Sequence, residues 1–162
     1  MGTELDTIDR AIISHLQRDG RMRIAQLAQQ VGLTATPLRQ RIDKLERAGV
    51  IRGYHADIDA RAVGCGAMAF VQVTLKDHTA ERNRAFVACM SEVPEVLEVH
   101  HISGEADFML KVVVADVRAF EVFRLERLAS FDGIDRAKTT FVLSTSKRGW
   151  CVPITASQGA SA

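Results

Sequence analysis

Between Thr34 and Tyr54 the chain places five basic residues, Arg39, Arg41, Lys44, Arg47 and Arg52, against only Asp43 and Glu46. Side chains of these types can meet phosphates, and some can also read base edges. An arginine can pair with guanine O6 and N7 and a glutamine with adenine N6 and N7, each pair discriminating by ~1–3 kcal/mol. Arg39 and Gln40 are suited to that role, with Thr36 beside them. Thr34, Arg41, Lys44, Arg47 and Arg52 suit phosphates, which position a protein without specifying sequence. The plainer alternatives are a solvated basic face for the whole set, a helix cap for Thr34 and a structural ion pair for Arg41.

A second set is Ser103-Gly104-Glu105-Ala106-Asp107. Gly104 permits a positive φ and close backbone approach. Backbone groups there could hold a ligand carboxylate while Asp107 faces its ammonium, with Ile102 and Ala106 shaping a side-chain pocket. The alternative is a plain hairpin turn in which Asp107 bonds local backbone.

The elements that must position these residues are legible from periodicity and punctuation. Asp6 and Asp9 mark a helix start. Ile8, Ile12 and Leu16 then recur at i, i+4 and i+8 up to Arg18-Asp19-Gly20. A second helix reads from about Ile24 to Val31, with Gly32 placed where a left-handed residue ends a helix. Thr34 is a ready N-cap for a third, with Pro37 tolerated in its first turn. Leu38, Ile42 and Leu45 line one face of that helix, so Thr36, Arg39, Gln40, Asp43, Lys44 and Arg47 fall on the other. Val50 to Ile58 alternates like two short strands broken at Gly53. Three helices and a small hairpin make a winged helix-turn-helix over residues 1–58.

Residues 59–66 read as a hinge. From 67 to 148 the pattern becomes βαββαβ: strand Met68 to Leu75, helix Thr79 to Ser91, strand Val96 to Ile102, strand Phe108 to Val114, a helix from Asp116 to about Ala129, and strand Ile134 to Thr145. This predicts a ferredoxin-like sandwich and an α+β chain overall. Residues 149–162 form a tail expected to fray from about Thr155.

With 47% of its 162 residues hydrophobic and 25% charged, the chain is globular in composition, neither disordered nor collagenous. No apolar run reaches the ~20 residues a membrane span needs, and no secretory signal is visible, so the expected compartment is the cytoplasm. Cys65, Cys89 and Cys151 form neither a disulfide framework nor a C-x-x-C pair. Adjacent His100 and His101 point to opposite faces of a strand, so they cannot share a metal. No metal site or cofactor is expected, and the common catalytic motifs are absent. A net charge of +1 hides a tilt: residues 1–62 hold ten Lys/Arg against eight Asp/Glu. Such a face permits phosphate binding without demanding it.

The set Leu5-Asp6-x-x-Asp9-x-x-Ile12, Gly20-Arg21, Leu27-Ala28-x-x-Val31-Gly32-Leu33, Arg41-Ile42-x-x-Leu45-Glu46-x-x-Gly49-Val50-Ile51 and Gly104-x-x-Asp107, in this order and spacing, resembles the Lrp/AsnC family of transcription regulators. Thr34 stands where the family more often has Ser; Pro37-Leu38 looks like the Lrp-type branch. The resemblance implies a regulator that binds double-stranded DNA and dimerises through its C-terminal domain, with dimers often assembling further into octamers. It also implies a small effector, usually an amino acid, bound in the C-terminal assembly. By that resemblance Gly104 and Asp107 match the effector loop, and Thr139 and Thr140 match last-strand residues that approach the ligand. An alternative on a similar two-domain fold is an enzyme resembling sirohaem decarboxylases, with His100 or His101 beside a tetrapyrrole, although a basic recognition helix has no obvious use there.

Overall fold

A computed structural model describes residues 4–154. They form two compact units, one of residues 4–57 together with 147–154 and one of Ile58–Ser146. Three helices make the first: α1 (Thr7–Arg18), α2 (Ile24–Val31) and α3 (Ala35–Arg47). α1 starts as its two acids require, in a capping box where Asp9 N donates to Asp6 Oδ1 at 2.7 Å. α2 ends at Gly32, whose φ of 68° lets Leu33 N reach back to Ala28 O at 2.9 Å. Ile12, Leu27, Leu38 and Leu45 are fully buried between the helices. Burying a side chain of this size contributes about 1.5–3 kcal/mol, so this small core fixes which face of α3 is left outside.

The expected wing hairpin is absent: no strand forms between residues 50 and 58. The backbone donors that a ladder would need are used elsewhere. Val50 N and Ile51 N both turn back to Leu45 O, at 2.9 and 3.2 Å, closing the last turn of α3. Tyr54 then anchors the segment through a hydrogen bond from its hydroxyl to Glu46 Oε1 at 3.0 Å.

The second unit is the expected α+β sandwich. β1 (Ala67–Leu75), α4 (Ala80–Ser91), β2 (Val96–His101), β3 (Phe108–Val114), α5 (Val117–Phe123) and β4 (Ile134–Phe141) follow in order. The sheet runs β2-β3-β1-β4, every neighbouring pair antiparallel. Alternation along β1 and β3 sends Val71, Val73, Leu75, Phe108, Leu110 and Val112 into a core shared with Phe86, Met90, Phe120 and Phe123. The register sends Phe70, Met109, Lys111, Thr140 and His100 to the opposite face.

Two boundaries differ from expectation. The helix after Asp116 does not stay α-helical to Ala129 but widens into a π-helical turn over Arg124–Leu128, closed by Ala129 N to Arg124 O at 3.0 Å. Five α-helical residues would rotate Leu128 about 140° away from Phe123; the wider turn lets both reach the core, each 2% exposed. The final strand ends at Phe141 instead of Thr145. β1 begins at Ala67, and after Val142 N meets Met68 O at 2.9 Å no partner backbone remains.

Candidate nucleic-acid interface and ligand loop

On the first unit, burial of Leu38, Ile42 and Leu45 turns Thr36, Arg39, Gln40, Lys44 and Arg47 outward, and all five are exposed, as are Thr34 and Arg52. Arg47 Nε donates to its own helix at Asp43 O, 3.2 Å away. Among the described residues, Arg39, Gln40, Lys44 and Arg52 have no side-chain hydrogen bond or ion pair, so their donors face solvent. Arg39 sits over a shallow groove that Asp43, Glu46 and Tyr54 also line.

Two of the expected phosphate contacts have different surroundings. Arg41 is drawn inward as an ion pair: Nη1 lies 2.6 Å from Asp6 Oδ2 and 2.7 Å from Asp9 Oδ1, tying α3 to the start of α1. Its charge is already neutralised, and its side chain is only 31% exposed. That pairing is the structural alternative for Arg41 and weighs against a phosphate role. The Asp9 backbone amide and the Arg41 guanidinium hold the Asp6 carboxyl below its ordinary value of 3.8. Asp9, 2% exposed, is the partner that periodicity missed; an acid beside the apolar stripe of α1 was its only signal. Thr34 does occupy the N-cap of α3 with extended backbone, yet its hydroxyl makes no capping bond.

In the second unit, residues 102–107 join β2 to β3. Gly104 has φ 122°, a conformation that L side chains rarely adopt, and nothing lies within 4 Å of where its Cβ would be. The loop is pinned at its ends by Ile102 N to Asp107 O at 2.9 Å and Asp107 N to Val73 O at 3.0 Å. Asp107 is less free than the sequence implied. Oδ2 accepts from Leu75 N at 2.8 Å, and Oδ1 lies 3.1 Å from His78 Nδ1. The plain-turn alternative expected Asp107 to bond local backbone, whereas the donor of the first contact is on β1, 32 residues away. Ile102 and Ala106 are half-buried beside it.

Thr139 and Thr140 oppose Val71 and Phe70 on β1, so they point to opposite faces of the sheet. Val73, which touches Asp107, pairs with Ala137 on β4, two residues earlier than Thr139. Two strand spacings and two residues of rise separate Asp107 from Thr139 by roughly 12 Å. Within one chain, therefore, Gly104 and Asp107 are together and the two threonines are apart from them.

His100 and His101 also point to opposite faces: His100 Nε2 lies 2.8 Å from Glu98 Oε2, and His101 stacks on Phe108 at 5.0 Å. Lys111 and His100 lower the Glu98 carboxyl. Among the described residues no three His, Cys, Asp or Glu gather to hold a metal, and no helix is long and apolar enough to cross a membrane.

An exposed basic face on the third helix of a helix-turn-helix unit, followed by an α+β sandwich with a glycine loop, is the layout of a DNA-binding transcription regulator that carries a ligand domain. Residues 5–52 match a winged helix-turn-helix DNA-binding family and residues 68–150 match the Lrp/AsnC ligand binding domain. The chain belongs to the Lrp/AsnC family. It is 40% identical to the leucine-responsive regulatory protein of Rhizobium meliloti over 89% of this chain and 92% of that one. The Salmonella typhimurium protein of the same name is 34% identical over 91% and 90%. A transcriptional regulator of Neisseria meningitidis in complex with L-Met superposes with a TM-score of 0.85 at 33% identity, covering 93% of this chain and 97% of that one. An AsnC family regulator from Agrobacterium tumefaciens gives 0.85 at 35% identity, over 92% and 97%. These relatives are transcriptional regulators and not enzymes, which leaves the decarboxylase alternative without support.

Proposed function

We propose that the chain is a sequence-specific regulator in which α3 reads the major groove and an amino acid bound in the C-terminal assembly tunes DNA binding. The observation that carries the reading is the unpaired, outward set of Arg39, Gln40 and Lys44 on a helix held by a buried core. Arg39 and Gln40 address base edges. Thr36 lies beside them, and Thr34, Lys44, Arg47 and Arg52 address phosphates. Two copies of α3 then meet half-sites about one DNA turn apart.

Self-association supplies the second copy. The sheet face opposite the helices presents the half-buried Phe70 and Met109 among polar neighbours, a surface suited to dimerisation. The roughly 12 Å between Asp107 and Thr139 supports an effector site shared between chains, with the loop of one subunit and β4 of another contacting the same ligand. The Neisseria complex with L-Met supports an amino acid as that ligand. Assembly of dimers into octamers and residence in the cytoplasm belong to the same reading.

Selection of bound duplexes from a random pool tests it. The full chain should enrich a palindromic motif, and Arg39→Ala should lose preference at one symmetric position, worth ~1–3 kcal/mol per half-site. Recovery of random sequence by both proteins would reject base reading by α3.

A further inference from the structure

The segment that follows the second unit returns to the first, and side chains fasten it there. The Gln17 carboxamide pairs with the Val152 backbone in both directions: Nε2 donates to Val152 O at 3.2 Å and Oε1 accepts from Val152 N at 2.5 Å. Cys151 Sγ donates to Gln17 O at 3.5 Å, one of the last carbonyls of α1, which lack partners within the helix. Trp150 Nε1 donates to Asp57 Oδ2 at 3.1 Å. Arg148 Nη1 lies 3.4 Å from Asp57 Oδ1, and its guanidinium covers the Trp150 ring at 4.7 Å. Two anchor points are thus engaged, the end of α1 and the last residue before the chain enters the second unit.

The DNA-binding unit is therefore joined to the ligand unit by two chain connections, at 57–58 and at 146–147. The second issues from β4, the strand that carries Thr139 and Thr140. We propose that Arg148–Val152 is a docking strap through which ligand-dependent changes at β4 reach the DNA-binding unit. The docking stands alone; the signalling role rests on the effector reading above. The contacts are exposed, so each is weak in net terms. Docked and released forms then differ little in free energy, and a ligand with modest preference for either can shift the balance.

Trp150 is the chain's only tryptophan, so emission excited beyond the absorption band of Tyr54 reports the strap alone. Acrylamide quenching of the full chain is compared with a peptide of residues 147–154, the undocked standard. Docking predicts quenching reduced roughly in proportion to the 58% exposure of Trp150. Gln17→Ala and Asp57→Ala, at separate anchor points, should each raise it toward the peptide's value while α-helical circular dichroism is retained. Quenching of the wild type equal to the peptide's overturns the docking. A pool of amino acids is then added to protein and duplex. The strap predicts that the change in DNA affinity, ~5–150-fold in typically coupled systems, collapses toward unity in both variants. An undiminished response in both variants overturns the signalling role. No response in the wild type overturns the effector reading and the signalling with it, while the quenching result still decides the docking.

Discussion

Arg41→Ala separates a structural arginine from a DNA contact. Arg41 Nη1 is 2.6 Å from Asp6 and 2.7 Å from Asp9, with side-chain exposures of 31%, 49% and 3% for Arg41, Asp6 and Asp9. The Asp6 bond lies half in water and contributes ~0–1 kcal/mol. Loss of the Asp9 bond leaves a buried carboxylate with only the long 3.4 Å bond from Asp6 N. Breaking a fully buried pair costs about 3–5 kcal/mol, and partial exposure of Arg41 lowers that. A net loss of about 2–3 kcal/mol follows for the DNA-binding unit, a fall in Tm of roughly 10–20 °C for a unit of this size. The assay is thermal and urea unfolding by circular dichroism, paired with DNA binding across a salt series on folded protein. Loss of a phosphate contact would lower the salt slope by about 1; the ion pair predicts an unchanged slope. The pH dependence carries a sign. Asp6 has a lowered pKa when folded, so its contribution is complete above the ordinary carboxylate range and lost as pH falls below about 4. Arg41→Ala should flatten that acid limb. A variant as stable as the wild type, with a slope lower by one, would refute the reasoning.

Thr34→Ala should cost under about 0.5 kcal/mol because the hydroxyl makes no capping bond, whereas Asp116→Ala, which removes the 2.8 Å bond from Ala119 N, should cost about 1 kcal/mol; urea midpoints compare them. Asp107→Ala strands Leu75 N at the end of β1 and should destabilise the C-terminal unit by about 1–3 kcal/mol. Calorimetry should assign that loss to a transition distinct from the one Arg41→Ala moves. Tyr54 is the only tyrosine, and burial together with Glu46 pushes its hydroxyl from 10.0 up to about 12. Its stabilising effect is complete below pH 10 and lost as pH rises through about 12. Phenolate absorbance should therefore appear later in the native protein than in urea, and coincident curves would contradict the hydrogen bond that ties the hydroxyl to Glu46.

Much of the fold was legible because its signals are local. The Asp6 cap, the left-handed Gly32 and the Leu38-Ile42-Leu45 stripe each act over one or two turns, and each stands where the residues placed it. The exposed basic side of α3 followed from that stripe alone. Features set by distant partners were harder to read. Arg41 looks like any basic residue until Asp9, 32 positions earlier, is known to be buried beside it. The two strands expected after α3 do not form because a strand needs free donors, and the use of Val50 and Ile51 in closing α3 depends on geometry rather than on alternation. The π-helical turn arises from two core residues five apart, a spacing that α-helical periodicity does not reward. Nothing in the composition of residues 149–154 announced a return to α1, because Gln17 recognises the backbone there and not a side chain.

The most direct test of the account is binding of the purified chain to a duplex covering its own gene's upstream region, beside a scrambled duplex, across a salt series. The account predicts tighter binding to the native duplex at every salt concentration, affinity falling as salt rises, and a further shift when amino acids are added. Equal, weak binding to both duplexes, unchanged by amino acids, would contradict it.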